Sequence, residues 1–132
     1  MKDPAYDLAT YYITKATGEV WGVNVFGGVQ PTSPSACVTF INTGGYPRDE
    51  ILNPEVGGLR YPTVMATIRG NQEDYKGVRE KAEQVHDKLH KIMNFTANGN
   101  TYQVCMVEGE PNWLGFDENN RPLWSINFKL TV

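Results

Sequence analysis

The sequence predicts an α+β domain in which two α-helices pack on one face of an antiparallel or mixed sheet of about four to five strands. Two observations carry most of this prediction. The segment Asn71–Met93 has the apolar periodicity of one long amphipathic helix. The run Leu123–Val132 alternates apolar and polar residues, as a strand with one buried face does. Shorter strand-like runs on either side of the helix supply the apolar sheet face that its stripe needs.

The composition fits a single domain spanning residues 1–132. The chain is 40% hydrophobic and carries a net charge of −3. A chain of this length can bury a core without disulfides, and its charge gives no reason to expect nucleic-acid binding, which normally needs a basic patch. The first residues lack the apolar core of a signal peptide, and no run approaches the roughly 20 apolar residues of a membrane span.

Cys37 and Cys105 each lie inside a strand-like run, with no motif spacing around them. Buried, reduced thiols are therefore the favoured interpretation, with a disulfide between the two as the alternative. Reduced thiols indicate synthesis and folding in a reducing cytoplasm.

Two segments are predicted to be helices. The first begins at Asp3–Pro4, because aspartate is a good N-cap and proline is tolerated in the first turn, and it ends before Gly18. In the second helix, Asn71 is the predicted cap and Asp74 follows three residues later. Its apolar residues recur every three or four positions and share one face. This stripe comprises Tyr75, Val78, Ala82, Val85, Leu89 and Ile92.

The predicted strands lie between clear turn signals. They are Glu19–Phe26, Ala36–Ile41, Tyr61–Arg69, Thr101–Val107 and Leu123–Val132. Asn98–Gly99 is a strong hairpin signal. The short run Asn112–Phe116 precedes a polar turn and is not assigned to a strand.

The segment Asn42–Arg60 has no periodicity and is longer than an ordinary connection. Its two Gly–Gly pairs and two prolines predict a loop. One interpretation is a solvated loop without a function. The other is a loop that is disordered in the free subunit and becomes ordered on assembly, because several of its residues are too apolar to stay in water. These residues are Tyr46, Ile51, Leu52, Val56 and Leu59.

Candidate catalytic and metal-binding patterns are weak. His86 and His90 are four residues apart on the long helix, but they lack the pattern of a zinc protease, so a solvated helix face is favoured. The run Asp117–Arg121 lacks the central glycine and late glutamate of a calcium loop and is better explained as a hairpin turn. No nucleophile motif or phosphate-binding loop is present. The sequence therefore predicts no catalytic residue, cofactor or metal.

Apolar residues near turns suggest a partner surface instead. They are Tyr46, Trp113, Leu114, Phe116 and Trp124.

Three segments resemble the minor capsid or tail-terminator family of long-tailed bacteriophages. They are Val38–Tyr46, Tyr61–Gly70 and Trp113–Phe128, and the helix between the last two is also similar. Their order and spacing carry the resemblance over most of the chain from Cys37 to the end. Relatives often have glycine where this chain has Asn120, and asparagine tolerates the same left-handed backbone.

The resemblance implies a structural virion protein and not an enzyme. Members of the family form a hexameric ring at the tail–head junction, which caps the tail tube, stops its polymerisation and joins the tail to the head. The implied partners are other copies of the chain, the major tail tube protein and the head-completion or connector protein. DNA would pass through the ring without sequence-specific binding, no membrane is involved, and assembly would take place in the cytoplasm of the host bacterium.

The expected interface combines the loop, the aromatic run and nearby charged residues. It comprises Gly44, Gly45, Tyr46, Ile51, Leu52, Val56, Leu59, Arg69, Trp113, Leu114, Phe116, Asp117 and Arg121. Two alternatives stay open: a head-completion or neck adaptor protein, and a small cytoplasmic enzyme.

Overall fold

Two helices and seven strands make up the described part of the chain, which covers residues 3–16, 18–46 and 60–132 of a computed structural model. The helices are α1 (Pro4–Lys15) and α2 (Tyr75–Leu89). The strands are β1 (Val25–Gly27), β2 (Cys37–Tyr46), β3 (Tyr61–Arg69), β4 (Ile92–Ala97), β5 (Asn100–Val107), β6 (Asn112–Phe116) and β7 (Pro122–Thr131).

The strands form one mixed sheet in the order β1-β2-β3-β7-β5-β4, with β6 paired to β7 beside β5. β1 runs parallel to β2, and the other pairs are antiparallel. The predicted α+β class is confirmed. The predicted number of about four to five strands is wrong, because β4 and β6 were not recognised.

Both helices pack into a single core together with alternate residues of the central strands. On α2, the predicted stripe is confirmed at four positions, which are fully or almost fully buried: Val78, Ala82, Val85 and Leu89. The two end residues of the predicted stripe are not buried on α2. Tyr75 is 49% exposed, and Ile92 belongs to β4.

The ends of α2 differ from the prediction because polar residues break the helix on both sides. Asp74, not Asn71, is the N-cap, and its carboxylate accepts from the Gly77 N–H at 3.0 Å. Lys91 has φ 58 just after the helix, so the chain turns and Ile92 starts a strand. The predicted cap of α1 is confirmed: Asp3 accepts from the Tyr6 N–H at 3.2 Å.

The predicted strand Glu19–Phe26 is wrong, except for its last residues in β1. A turn replaces it because the Asn24 side chain forms hydrogen bonds with the backbone of two earlier residues, Gly18 and Val20. Its amide oxygen accepts from the Val20 N–H at 2.7 Å, and its amide nitrogen donates to the Gly18 carbonyl at 3.1 Å. A local side-chain hydrogen bond of this kind competes with strand pairing.

The predicted loop Asn42–Arg60 begins later than expected, because β2 continues to Tyr46. The pairing of β2 with β3 shifts register between Asn42 and Gly45. Gly45 has φ 153, and a Cβ there would collide with the Tyr61 carbonyl oxygen, so this bulge requires glycine. Residues 47–59 lie outside the described part of the chain, as does the predicted ordering of this segment on assembly.

A buried carboxylate joins α1 to the β4–β5 hairpin. Asp7 is 1% exposed and accepts from the amides of Asn98 and Asn100, each at 2.9 Å, and from the Tyr102 hydroxyl. These donors lie more than ninety residues away in the chain. The network therefore fixes α1 against the hairpin.

A second buried carboxylate joins α1 to α2. Glu19 accepts from the Tyr12 hydroxyl at 3.3 Å and forms an ion pair with Lys81. Burial raises the pKa of Tyr12, and Glu19 raises it further. Burial also raises the pKa of Tyr102, and its hydrogen bond to Asp7 adds to this shift.

These two tyrosines predict a loss of stability in alkali. Both stay protonated in the folded protein, whereas in the unfolded chain they lose protons near pH 10, about their ordinary pKa. Above that pH the unfolded state binds fewer protons, so the free energy of unfolding should fall as the pH rises. Urea unfolding midpoints measured from about pH 8 to about pH 11, on both sides of the ordinary tyrosine pKa, test this prediction.

The matched control for alkaline unfolding is the double variant Tyr12→Phe with Tyr102→Phe. It should be less stable at neutral pH but should lose much less stability above pH 10, about the ordinary pKa of tyrosine. The residual loss belongs to the two buried thiols, because burial raises the pKa of Cys37 and raises that of Cys105 to about 12. An unchanged pH slope in the double variant would contradict this assignment.

Candidate interaction surface

Four aromatic side chains form one cluster where β6, β7 and the start of α2 meet. Strand pairing places Trp113 opposite Trp124, with ring centroids 5.3 Å apart. Tyr75, the first residue of α2, meets Trp113 edge-on at 5.0 Å, and Phe116 meets it edge-on from the other side at 5.3 Å. We call Tyr75, Trp113, Phe116 and Trp124 the aromatic surface.

Three rings of the aromatic surface are open to solvent, and the fourth lies beneath them. Tyr75, Trp113 and Phe116 are each 40% exposed or more, and Leu114 on the same strand is also exposed. Trp124 is only 6% exposed, so the prediction that it is an exposed aromatic is wrong. A contiguous exposed cluster of this type is typical of a protein–protein contact.

Trp124 leaves an unsatisfied donor at the floor of the aromatic surface. Its indole N–H is buried and has no hydrogen-bond acceptor among the residues that the structure describes. The Arg79 guanidinium lies over the ring at 5.0 Å and occupies its face. A buried donor without an acceptor lowers stability, so Trp124 packs here at some cost to the fold.

The hairpin between β6 and β7 holds the aromatic surface against α2. Asp117 accepts from the N–H groups of Asn119 and Arg121, each at 2.9 Å, and from the Arg121 guanidinium at 2.8 Å. Burial alone would raise the pKa of Asp117, but these donors outweigh it and lower the pKa. The Glu73 N–H donates to the Asn120 carbonyl at 3.0 Å. As expected for a turn, Asn120 has a left-handed backbone, with φ 58.

The two arginines of the expected interface are buried and bind backbone carbonyls. Arg69 donates to Ser35 and Pro34, both at 2.8 Å, and Arg121 donates to Thr32 at 2.7 Å. They hold the segment before β2 against the sheet. A direct role in an interface stays a prediction for both.

The other expected interface residues fall into two groups. Gly44, Gly45 and Tyr46 lie at the end of β2, away from β6 in the strand order. The loop residues Ile51, Leu52, Val56 and Leu59 lie outside the described part of the chain. The structure therefore brings together Trp113, Phe116 and the Asp117–Arg121 hairpin, and it does not bring the β2 glycines to them.

Several exposed apolar residues are not predicted from the sequence to be exposed, Tyr75 and Trp21 among them. Tyr75 was assigned to the buried stripe, because periodicity does not show that the helix starts beyond the edge of the core. Trp21 was assigned to a strand, yet it lies in the turn before β1, where its ring meets Tyr6 edge-on at 4.9 Å. The Gly22–Asn24 spacing is the one sequence signal that favours a turn there.

The histidines and cysteines considered as candidate catalytic or metal-binding residues either have hydrogen-bond partners inside the subunit or are buried in it. His90 Nδ1 accepts from the Val107 N–H at 3.2 Å, and His86 Nδ1 lies 3.1 Å from Asp87. Cys37 and Cys105 are buried and unpaired, as predicted, and burial raises the pKa of both thiols.

Within the described ranges, no three metal-ligating side chains come together. None of the described helices has both the length and the apolar content needed to cross a bilayer.

A cavity of about 200 Å³ lies beside α2, next to the start of β2 and the end of β3. Charged residues line it, including Glu19, Arg69 and Lys81. Glu19 and Lys81 pair with each other, and Arg69 is bonded to the segment before β2. Because these groups already have partners, we assign the cavity no ligand.

Residues 12–132 match the family model for the bacteriophage tail terminator protein. No curated protein matches the chain.

Proposed function

The chain belongs to the bacteriophage tail terminator family, and from this premise we propose that it forms a hexameric ring that caps the tail tube. Membership gives it a structural role in the phage tail as a component of the virion. In the proposal, the ring sits at the tail–head junction, stops polymerisation of the tube and offers its other face to the head-completion or connector protein. The structural character of the family agrees with a protein that is not an enzyme.

The aromatic surface is the observation that carries this proposal. A ring closes when one patch of each subunit binds a different patch of the next, with a rotation that returns to the start. Such a patch must be stably folded in the monomer yet apolar enough to bind. The aromatic surface meets both conditions, because the Asp117–Arg121 hairpin and α2 hold it in place while its outer rings are open to water.

The proposal also includes contacts with the tube protein and the passage of DNA. The apolar residues of the segment 47–59 would be buried against a neighbouring subunit or the tube protein. DNA would cross the ring without specific contacts, and a net charge of −3 is compatible with a lumen that does not trap it.

Tail-tube length tests the capping role. Tube protein polymerised with the wild-type chain should give tubes of limited length, because capped ends cannot grow. Phe116→Asp should leave the tubes long: its side chain is half exposed, so the subunit folds, but a charge on the aromatic surface opposes burial in a contact.

The matched control is Met93→Asp, which places the same charge at another exposed apolar position, on β4. It should limit tube length as the wild type does. Uncapped growth in the presence of the wild type would contradict the proposed function. Capping by Phe116→Asp equal to that of the wild type would remove the aromatic surface from it.

A further inference from the structure

A second exposed apolar surface lies beside β1. It comprises Tyr6 at the start of α1 and Val20, Trp21 and Val23 in the turn that precedes β1, and we call it the turn surface. Each of these side chains is 40% exposed or more. No motif in the sequence marks them as a group.

The turn surface is held rigidly although it is exposed. The carbonyl of Val20 accepts from the N–H groups of Val23 and Asn24, both at 3.1 Å, and the Gly22 N–H donates to the Val25 carbonyl at 2.9 Å. The Trp21 indole lies against Gly27, where an added Cβ would come within 3.0 Å of the ring. Rigid apolar anchors lose little entropy when they bind, which favours a role in recognition.

The turn surface and the aromatic surface lie at different places along the sheet. The turn surface adjoins β1, the first strand in the order, whereas the aromatic surface is built on β6 and β7, beyond β2 and β3. Contact between two unlike surfaces on separate edges is heterologous, and it propagates from copy to copy instead of ending at a dimer.

The two surfaces also match in chemistry. Each surface contains an edge-on aromatic pair, Tyr6 with Trp21 in the turn surface and Tyr75 with Trp113 in the aromatic surface. None of the residues that define either surface is charged, and the nearby Arg79 guanidinium is already paired with Glu83 at 2.7 Å, so joining the surfaces leaves no charge buried without a partner.

We infer that the turn surface of one copy docks on the aromatic surface of the next copy. This inference rests on the proposed ring and names the two faces of its subunit contact. The occupant of the aromatic surface is thus a second copy of this chain, and Trp21 and Val23 are the side chains that enter it.

Two complementary variants test the inference. Phe116→Asp disables the aromatic surface and leaves the turn surface intact, and Val23→Asp does the reverse. Both positions are more than half exposed, so both variants should fold. Sedimentation of each variant, of their equimolar mixture and of the wild type is measured up to millimolar concentration, and cross-linking is repeated on tail-tube ends.

The expected pattern is specific to a heterologous contact. The wild type associates, and each variant alone is weakened by more than about tenfold. Their mixture forms one-to-one dimers and nothing larger, because only one intact contact can form. A mixture of Phe116→Asp with a chain that carries both substitutions should stay monomeric. In the dimer, the Trp113 indole proton resonance should shift, because its side chain is 40% exposed in the free subunit and becomes covered.

Each other outcome overturns the inference. Dimers formed by Val23→Asp alone would show that the aromatic surface pairs with itself. A mixture that stays monomeric while the wild type forms rings would reject this contact and leave the proposed function standing. If the wild type neither associates nor caps tubes, the inference and the proposed function both fail.

Discussion

Val85→Asp should lower the free energy of unfolding by about 4 kcal/mol or more, which is a large part of the about 5–15 kcal/mol typical of a domain. Val85 is fully buried on the stripe of α2. A carboxylate placed there loses its hydration and gains no partner, so it must either stay charged at high cost or take up a proton. Thermal and urea unfolding measure the loss, and failure to fold is its extreme form.

Lys88→Asp is the matched control on the same helix. Lys88 is exposed, so the same new carboxylate stays in water, and the change in unfolding free energy should be within about 0.5 kcal/mol. If the two variants melted at the same temperature, the side of α2 that faces the core would be misassigned.

Asp7→Ala should have the next largest effect, about 3 kcal/mol, because it removes the acceptor from several buried donors at once. The Tyr102 hydroxyl is fully buried, and the Asn98 and Asn100 amides lie at the same carboxylate. The loss should include loosening of α1 from the β4–β5 hairpin. Amide hydrogen exchange in α1, measured together with the unfolding free energy, reports both effects.

Two comparisons isolate the buried network. Asp87→Ala removes an aspartate that is 77% exposed on α2, and it should change stability by less than about 0.5 kcal/mol. Adding Tyr102→Phe to Asp7→Ala should recover part of the loss, since the orphaned hydroxyl is removed with its acceptor. If the losses from Asp7→Ala and Tyr102→Phe were strictly additive, the hydrogen bond between Asp7 and Tyr102 would not contribute to stability.

The parts of the fold that could be predicted are those with a regular apolar period over many residues. The buried centre of α2 and the alternation in β3 and β7 are of this kind, because each residue's face follows from its position in the chain. The aromatic run of β6 was recognisable as exposed apolar material near turns, although it was not recognised as a strand.

The parts that could not be predicted depend on local breaks or on distant partners. β4 follows directly after α2, and Ile92 continues the helical spacing, so only the left-handed backbone at Lys91 separates the two. In β6, Gly115 has φ 96 and the pairing with β7 shifts between Trp113 and Gly115, which disrupts the alternation of a strand. Asp7 lies in the apolar run of α1, and nothing nearby in the sequence indicates its distant donors.

Tyr75 shows why the candidate surface was only partly predictable. It has the correct spacing to belong to the buried stripe, but its ring packs against Trp113 on β6 and Trp124 on β7 and stays 49% exposed. Whether a residue at the end of a stripe is buried depends on where the neighbouring strands end, and the helical period carries no information about that.

The most direct test of the central claim is electron microscopy of the purified protein mixed with tail tubes. The proposed ring should appear as density with subunit symmetry at one end of each tube, absent from tubes incubated with Phe116→Asp and present with Met93→Asp. Tube ends that stay bare with the wild-type protein, or protein bound along the tube wall instead of at its end, would contradict it.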